Sequence, residues 1–255
     1  MPTREFYCLA AVAIVLMIAV FGTSAVARAQ SVPIDKFEAL QHGELLYRLL
    51  TPPDTKPGEK HPLLIFLHGA GERGNDNKAQ LKWGAEFMLA AAEKYGCYVV
   101  VPQCPRDKKW AEVDWSKMEH RMPKEPSESM RLLMEVVADM QEKLPIDNDR
   151  LYIMGLSMGG YGTWDAIQRY PDMFAAAVPI CGGGDETGAA CIKTPVWVFH
   201  GDKDTAVPVE RSRKMVAAIK AAGGNPKYTE YPGCGHNSWS GAMAEPELPK
   251  WLFSK

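Results

Sequence analysis

The sequence predicts an α/β fold: a mostly parallel central sheet with helices on both faces and no large lid domain. Short, fully apolar runs alternate with amphipathic helical stretches, as in parallel sheets buried on both sides. The chain of 255 residues, 46% hydrophobic and 24% charged, shows no dividing linker and no internal repeat, which fits one globular domain. Reactive residue types fall just past the apolar runs, and the carboxyl ends of strands are where such sheets place their chemistry.

Residues 1–29 read as a leader. Arg4 precedes an apolar stretch over 9–21, and Ala27-Arg28-Ala29 supplies the small residues a signal peptidase prefers, making Gln30 the first mature residue. Glu5 offsets Arg4, so an uncleaved membrane anchor is the alternative; otherwise the mature chain has no membrane association. With no Cys at the cleavage point, no lipoprotein anchor is expected. The expectation is export to the periplasm or exterior, with 30–255 as one domain. Five cysteines remain there, an odd number. Cys97 and Cys104 flank a strand and stand roughly 20 Å apart, too far to bridge. Cys181 and Cys191 can bridge through a Gly-rich loop, or both can stay free thiols.

From the amino end, 37–41 and 44–50 read as strands joined at His42-Gly43. A polar, Pro-rich connection (52–62) leads to the strand 63–67, which ends at His68-Gly69-Ala70-Gly71. The helix 81–94 follows, then the strand 98–101, stopped by Pro102. Over 127–144, Met130, Leu133, Met134, Val137 and Met140 recur at helical spacing. Strands at 151–154, 175–180, 196–199 and 228–231 and helices at 160–170 and 209–222 complete the pattern.

Gly155-Leu156-Ser157-Met158-Gly159 lies between a strand and a helix. A serine on such a sharp turn projects its hydroxyl above the sheet, and the flanking glycines leave room where strand and helix nearly touch. The bland alternative is a Gly-rich turn with a serine cap. A serine hydroxyl needs a base. In this arrangement acid and histidine follow the serine along the chain, which sets aside His42, His61, His68 and His120. His200 closes an apolar run, whereas His236 sits in a Gly-rich loop after the last strand and is the candidate base. The acid falls on the loop after 196–199, where Asp202 and Asp204 both stand and spacing does not choose. An oxyanion hole needs two backbone N–H groups. Met158 offers one, and Ala70, or else Gly71, offers the other, with His68 steadying that loop.

These strings resemble the α/β-hydrolase family, in particular its phospholipase/carboxylesterase and feruloyl-esterase-like (predicted peptidase) branch. The resemblance rests on His68 to Gly74, Val101-Pro102-Gln103-Cys104-Pro105, Gly155 to Gly160, His200-Gly201-Asp202-Lys203-Asp204 with Val207-Pro208, and Pro232-Gly233 to His236 with Trp239. It implies Ser157, Asp204 and His236 as catalytic residues, Ala70 and Met158 as oxyanion donors, and a serine carboxylic ester hydrolase working through an acyl-enzyme.

Only 181–194 separates two of the strands, too short for a helical lid, so an open cleft suited to acyl esters of carbohydrate or other bulky substrates is expected. Trp110 and Trp115, on the long segment 105–126 that also carries His120, and Trp239 beyond His236 are candidates to stack on sugars or aromatic acyl groups; ordinary packing is their other reading. A net charge of −2 excludes the basic footprint of nucleic-acid binding. No metal-ligand spacing and no Gly-rich nucleotide turn after the first strand is present, so no metal or cofactor is expected. Competing readings are a serine peptidase of the prolyl-oligopeptidase type, separable by preference for amides, and a non-catalytic binding protein on the same scaffold.

Overall fold

Eight strands and six α-helices follow from these patterns in the computed structural model, which describes residues 33–255. The predicted leader, 1–29, lies outside the described residues. The strands are β1 (Glu38–His42), β2 (Leu45–Leu50), β3 (His61–Leu67), β4 (Tyr98–Gln103), β5 (Ile146–Leu156), β6 (Ala176–Ile180), β7 (Trp197–Gly201) and β8 (Lys227–Tyr231). The helices are α1 (Ala85–Tyr95), α2 (Glu128–Lys143), α3 (Met158–Arg169), α4 (Glu210–Ala221), α5 (Trp239–Ala244) and α6 (Glu247–Leu252). The sheet order is β1-β2-β4-β3-β5-β6-β7-β8, with β2 antiparallel to both neighbours and all other pairs parallel.

Side-chain alternation divides the core into two layers. Leu63, Ile65 and Leu67 of β3 join Leu151 and Ile153 of β5 on the face covered by Leu133 and Val137 of α2, Ile167 of α3 and Met215 of α4. Leu64, Phe66, Tyr152 and Met154 point the other way, to Met88 of α1 and Leu248 and Leu252 of α6. Both faces are covered, as the continuous apolar runs require.

Several strands are longer than their sequences suggest, β4 and β5 for reasons the register shows. β4 runs through Pro102, which partners Tyr47 of β2, while its pairing with β3 has already ended at Val100. β5 begins at Ile146, before the polar Asp147-Asn148-Asp149, because its register against β3 shifts between His61 and Leu63 and absorbs those residues as an irregularity. Neither feature shows in local hydropathy. α2 starts where its cap predicts: Ser127 Oγ accepts from the Met130 N–H at 3.0 Å.

The segment between β4 and α2 contains no regular element, and the connection after β6 holds only a 3-10 turn, Glu186–Cys191. Among the described residues, no large lid stands over the sheet. Among the described residues, no helix is long and apolar enough to cross a membrane. Cys181 and Cys191, which the sequence allowed to pair, are free thiols, one buried and one exposed, as are Cys97, Cys104 and Cys234.

Candidate active site

Ser157 sits where β5 turns into α3, with φ 54° and ψ −116°, a conformation a serine holds only under constraint. Its N–H donates to Ile180 O at 2.9 Å, tying the turn to β6. The turn needs its glycines: a Cβ on Gly159 would stand only 2.0 Å from Leu67 O, and one on Gly155 only 2.4 Å from Gly159 O.

His236, in the loop between β8 and α5, bridges two groups far from it in sequence. Its Nε2 lies 2.9 Å from Ser157 Oγ and its Nδ1 lies 2.7 Å from Asp204 Oδ2. A carboxylate only accepts, so Nδ1 carries the proton and Nε2 is free to accept from the serine hydroxyl. The Asp204 side chain is fully buried. Burial alone would raise its pKa, yet donors from His200, His236 and the Val207 N–H hold the carboxyl well below the usual range. Oδ1 accepts from the N–H groups of Ala206 and Val207, each at 2.9 Å. Geometry separates the two aspartates between which spacing did not choose. Asp204 reaches the imidazole, while Asp202 Oδ1 accepts from the Gly233 N–H at 2.7 Å and ties down the histidine loop.

His200, passed over because it closes an apolar run, proves to be part of the assembly. It is fully buried. Its Nε2 lies 2.9 Å from Val207 O and 3.2 Å from Asp204 Oδ2, and Nδ1 lies 2.7 Å from Ser212 Oγ. The signal available in the sequence was a lone polar residue ending the apolar β7 directly before the acid-bearing loop.

The register of β3 against β5 pairs Leu67 with Gly155, which sets the loop after β3 beside the serine. A Cβ on Gly69 would lie 3.6 Å from Ser157 Cβ. His68 is fully buried and fixes this loop: Nε2 accepts from the Cys104 N–H at 2.9 Å, so Nδ1 carries the proton and donates to Gly69 O at 2.6 Å. Because the peptide is trans and planar, pulling Gly69 O toward the ring aims the Ala70 N–H the opposite way. Met158 opens α3, where backbone N–H groups lack intrahelical partners. Loss of hydration on burial lowers the His68 pKa to about 4, partly offset by the Gly69 carbonyl, so the ring is neutral at pH 7.

The tryptophans divide by environment. Trp110 is fully buried, donates from Nε1 to His68 O at 3.1 Å and fills the space beside Gly162, leaving no face for a ligand. Trp115 is half-buried, with Lys109 Nζ at 4.8 Å and Arg73 Cζ at 5.8 Å from its ring centroid. Trp239 stands edge-on to His236, with centroids 5.4 Å apart. His120 is taken up by Arg211, a fully buried guanidinium that also donates to Gly184 O. Sequence spacing hid one further grouping: ligand atoms of Cys181, Asp204 and His236, from three different strand ends, lie within 4.8 Å of one another. The short His236–Asp204 hydrogen bond already occupies two of them, and burial pushes the Cys181 thiol up to about 12, so it is protonated.

Comparison with known proteins gives consistent matches. A family model described as phospholipase/carboxylesterase matches residues 54–247. A bifunctional acetylxylan esterase/xylanase from Neocallimastix patriciarum is 27% identical over 139 residues, covering 54% of this chain and 18% of that one. An uncharacterized secreted protein of Arthroderma benhamiae is 26% identical over 240 residues, covering 77% of this chain and 24% of that one. The crystal structure of a thermostable esterase superposes with a TM-score of 0.79 at 38% identity, covering 87% of this chain and 63% of that one. The chain thus spans under a quarter of both curated relatives and under two thirds of the esterase chain.

Proposed function

The chain belongs to the phospholipase/carboxylesterase family, and from that premise we propose that it is an exported serine esterase acting on acyl esters of carbohydrate through a Ser157-His236-Asp204 triad. It is a carboxylesterase-type serine hydrolase. The observation that carries the finer reading is the continuous hydrogen-bonded path from Ser157 Oγ through the His236 ring to Asp204 Oδ2.

In this reading Ser157 Oγ attacks the ester carbonyl carbon while His236 Nε2 takes the hydroxyl proton. Asp204 keeps the other ring proton on Nδ1 and stabilises the imidazolium without taking up the proton itself. The carbonyl oxygen, now negative, receives the N–H groups of Ala70 and Met158. Collapse of the tetrahedral intermediate breaks the bond to the alcohol oxygen, which leaves with the proton from His236. A water then attacks the acyl-enzyme, gives its proton to His236, and the acid departs as Ser157 regains its hydroxyl proton.

The carbohydrate ester is supported by the name of the Neocallimastix patriciarum relative, an acetylxylan esterase. Export is supported by the leader pattern at 1–29 and by a relative named as secreted. Residues 30–255 then form the mature catalytic domain, and amino-terminal sequencing of the exported protein is expected to begin at Gln30. A panel of acetylated xylan, acetylated monosaccharides and matched peptide amides tests the substrate class: the highest kcat/KM falls on the sugar esters. Preference for amides turns the assignment to a peptidase.

A further inference from the structure

We propose that Trp83 and Trp239 form the wall on which the alcohol side of the ester lies, that its occupant is a sugar ring, and that Glu72 is the positioning residue that holds Trp83 there. This rests on the esterase reading, because it uses the fate of the leaving oxygen.

That oxygen must take its proton from His236, so the departing group lies next to the imidazole. Trp239 packs against that imidazole, its ring perpendicular to it at 89°. Trp83 extends the surface, with ring centroids 5.6 Å apart and planes tilted by 55°. Both indoles are partly exposed while their inner sides pack on the core. Trp83 Nε1 donates to Glu72 Oε1 at 3.1 Å. Glu72 ends the 3-10 turn Ala70–Glu72 and is itself buried. The wall is therefore anchored at one end to the catalytic imidazole and at the other to the loop carrying the proposed oxyanion donor.

The chemistry of the wall selects its occupant. The exposed parts of the two inclined indoles are apolar and suit the C–H face of a pyranose, while a methyl alcohol is too small to reach both rings. Lys82 Nζ, 5.0 Å from the Trp83 centroid, adds a donor for ring hydroxyls. Trp110, which is fully buried, presents no such surface.

The test compares three acetyl esters that differ only in the alcohol: methyl acetate, phenyl acetate and an acetylated methyl xyloside. Trp83→Leu is expected to lower kcat/KM for the xyloside ester about five- to tenfold, through KM, the size of one aromatic contact. Methyl acetate is expected to stay within about twofold, which also reports correct folding. Glu72→Ala raises KM for the xyloside ester at least as much as Trp83→Leu, and Glu72→Gln, which keeps an acceptor for the indole N–H, restores the parent behaviour on all three esters. Methyl xyloside competitively inhibits methyl acetate hydrolysis by the unaltered protein, a readout independent of any variant. An equal loss on all three esters, no loss on the xyloside ester, a phenyl acetate loss matching the xyloside loss, or no inhibition by methyl xyloside each overturns the proposal. Parent protein inactive on all three esters instead overturns the esterase reading, and this one with it.

Discussion

His200 Nε2 lies 3.2 Å from Asp204 Oδ2, the same oxygen that His236 Nδ1 approaches at 2.7 Å. One carboxylate oxygen thus takes a fixed, buried donor on one side and the His236 imidazole on the other. Ser212 extends the path, 2.7 Å from His200 Nδ1.

Replacing His200 should therefore act on turnover as well as stability. His200→Ala removes one donor from Asp204, unpairs Val207 O and leaves Ser212 Oγ only its 3.4 Å contact to Gly182 O, a loss of about 1–3 kcal/mol in folding stability. Freed from one side, the carboxylate orients His236 less well, so kcat falls about tenfold or more while KM holds. Chemical denaturation and steady-state kinetics on the same preparation separate the two effects. A variant that loses stability with kcat unchanged makes His200 purely a packing residue.

The two aspartates of the same loop should separate sharply. Asp204→Asn keeps the shape but permits the wrong imidazole tautomer, and a drop in kcat of about 10⁴ is expected by analogy with serine proteases. Asp202→Asn retains an acceptor for the Gly233 N–H and should change kcat by less than about tenfold. Equal effects at both positions would contradict the assignment of roles.

Acid stability carries the signature of His68. Its pKa is lowered from 6.5 to about 4 in the fold, so between those values the unfolded chain binds more protons than the native one. Stability is then lost as pH falls through that window, at up to about 1.4 kcal/mol per pH unit. His120, also lowered to about 4 by burial and by Arg211, adds in the same direction. Asp204 works lower down: its depressed carboxyl contributes stability above the unfolded carboxylate range, and that is lost only below about pH 4. Denaturation midpoints at pH 7 and 4.5 should differ, and His68→Gln should shrink the difference. An unchanged difference in that variant removes His68 from the account.

Trp110→Phe tests whether that ring packs or binds. The change opens space beside Gly162 and unpairs His68 O, so stability should fall by about 1–3 kcal/mol while KM for any ester is unaffected. A selective rise in KM for sugar esters would return Trp110 to the substrate site.

The sheet and most of the candidate site were legible because each rests on a local signal. Apolar runs at 63–67 and 196–199 mark strands buried on both faces, and the Gly155–Gly159 string marks a turn only small residues fit. His236 was legible because a glycine-rich loop after the last strand leaves few other places for a base. Asp204 against Asp202 was not decided by spacing, because both lie on one loop and only the direction of the turn separates them. His200 was missed because its partners Ser212 and Val207 are brought to it by the fold. Trp83 and Glu72 escaped notice for the same reason, since their hydrogen bond joins the loop after β3 to the residues before α1. Trp110 was read from aromatic chemistry alone, and its burial under α3 is a tertiary fact.

Covalent labelling tests the central claim most directly. A fluorophosphonate probe should add one adduct, map by mass spectrometry to the peptide bearing Ser157, and abolish ester hydrolysis in step with labelling. Ser157→Ala protein should take up no adduct and hydrolyse short esters at no more than a trace of the parent rate. Labelling elsewhere with activity lost, or a Ser157→Ala protein that turns over esters like the parent, would contradict it.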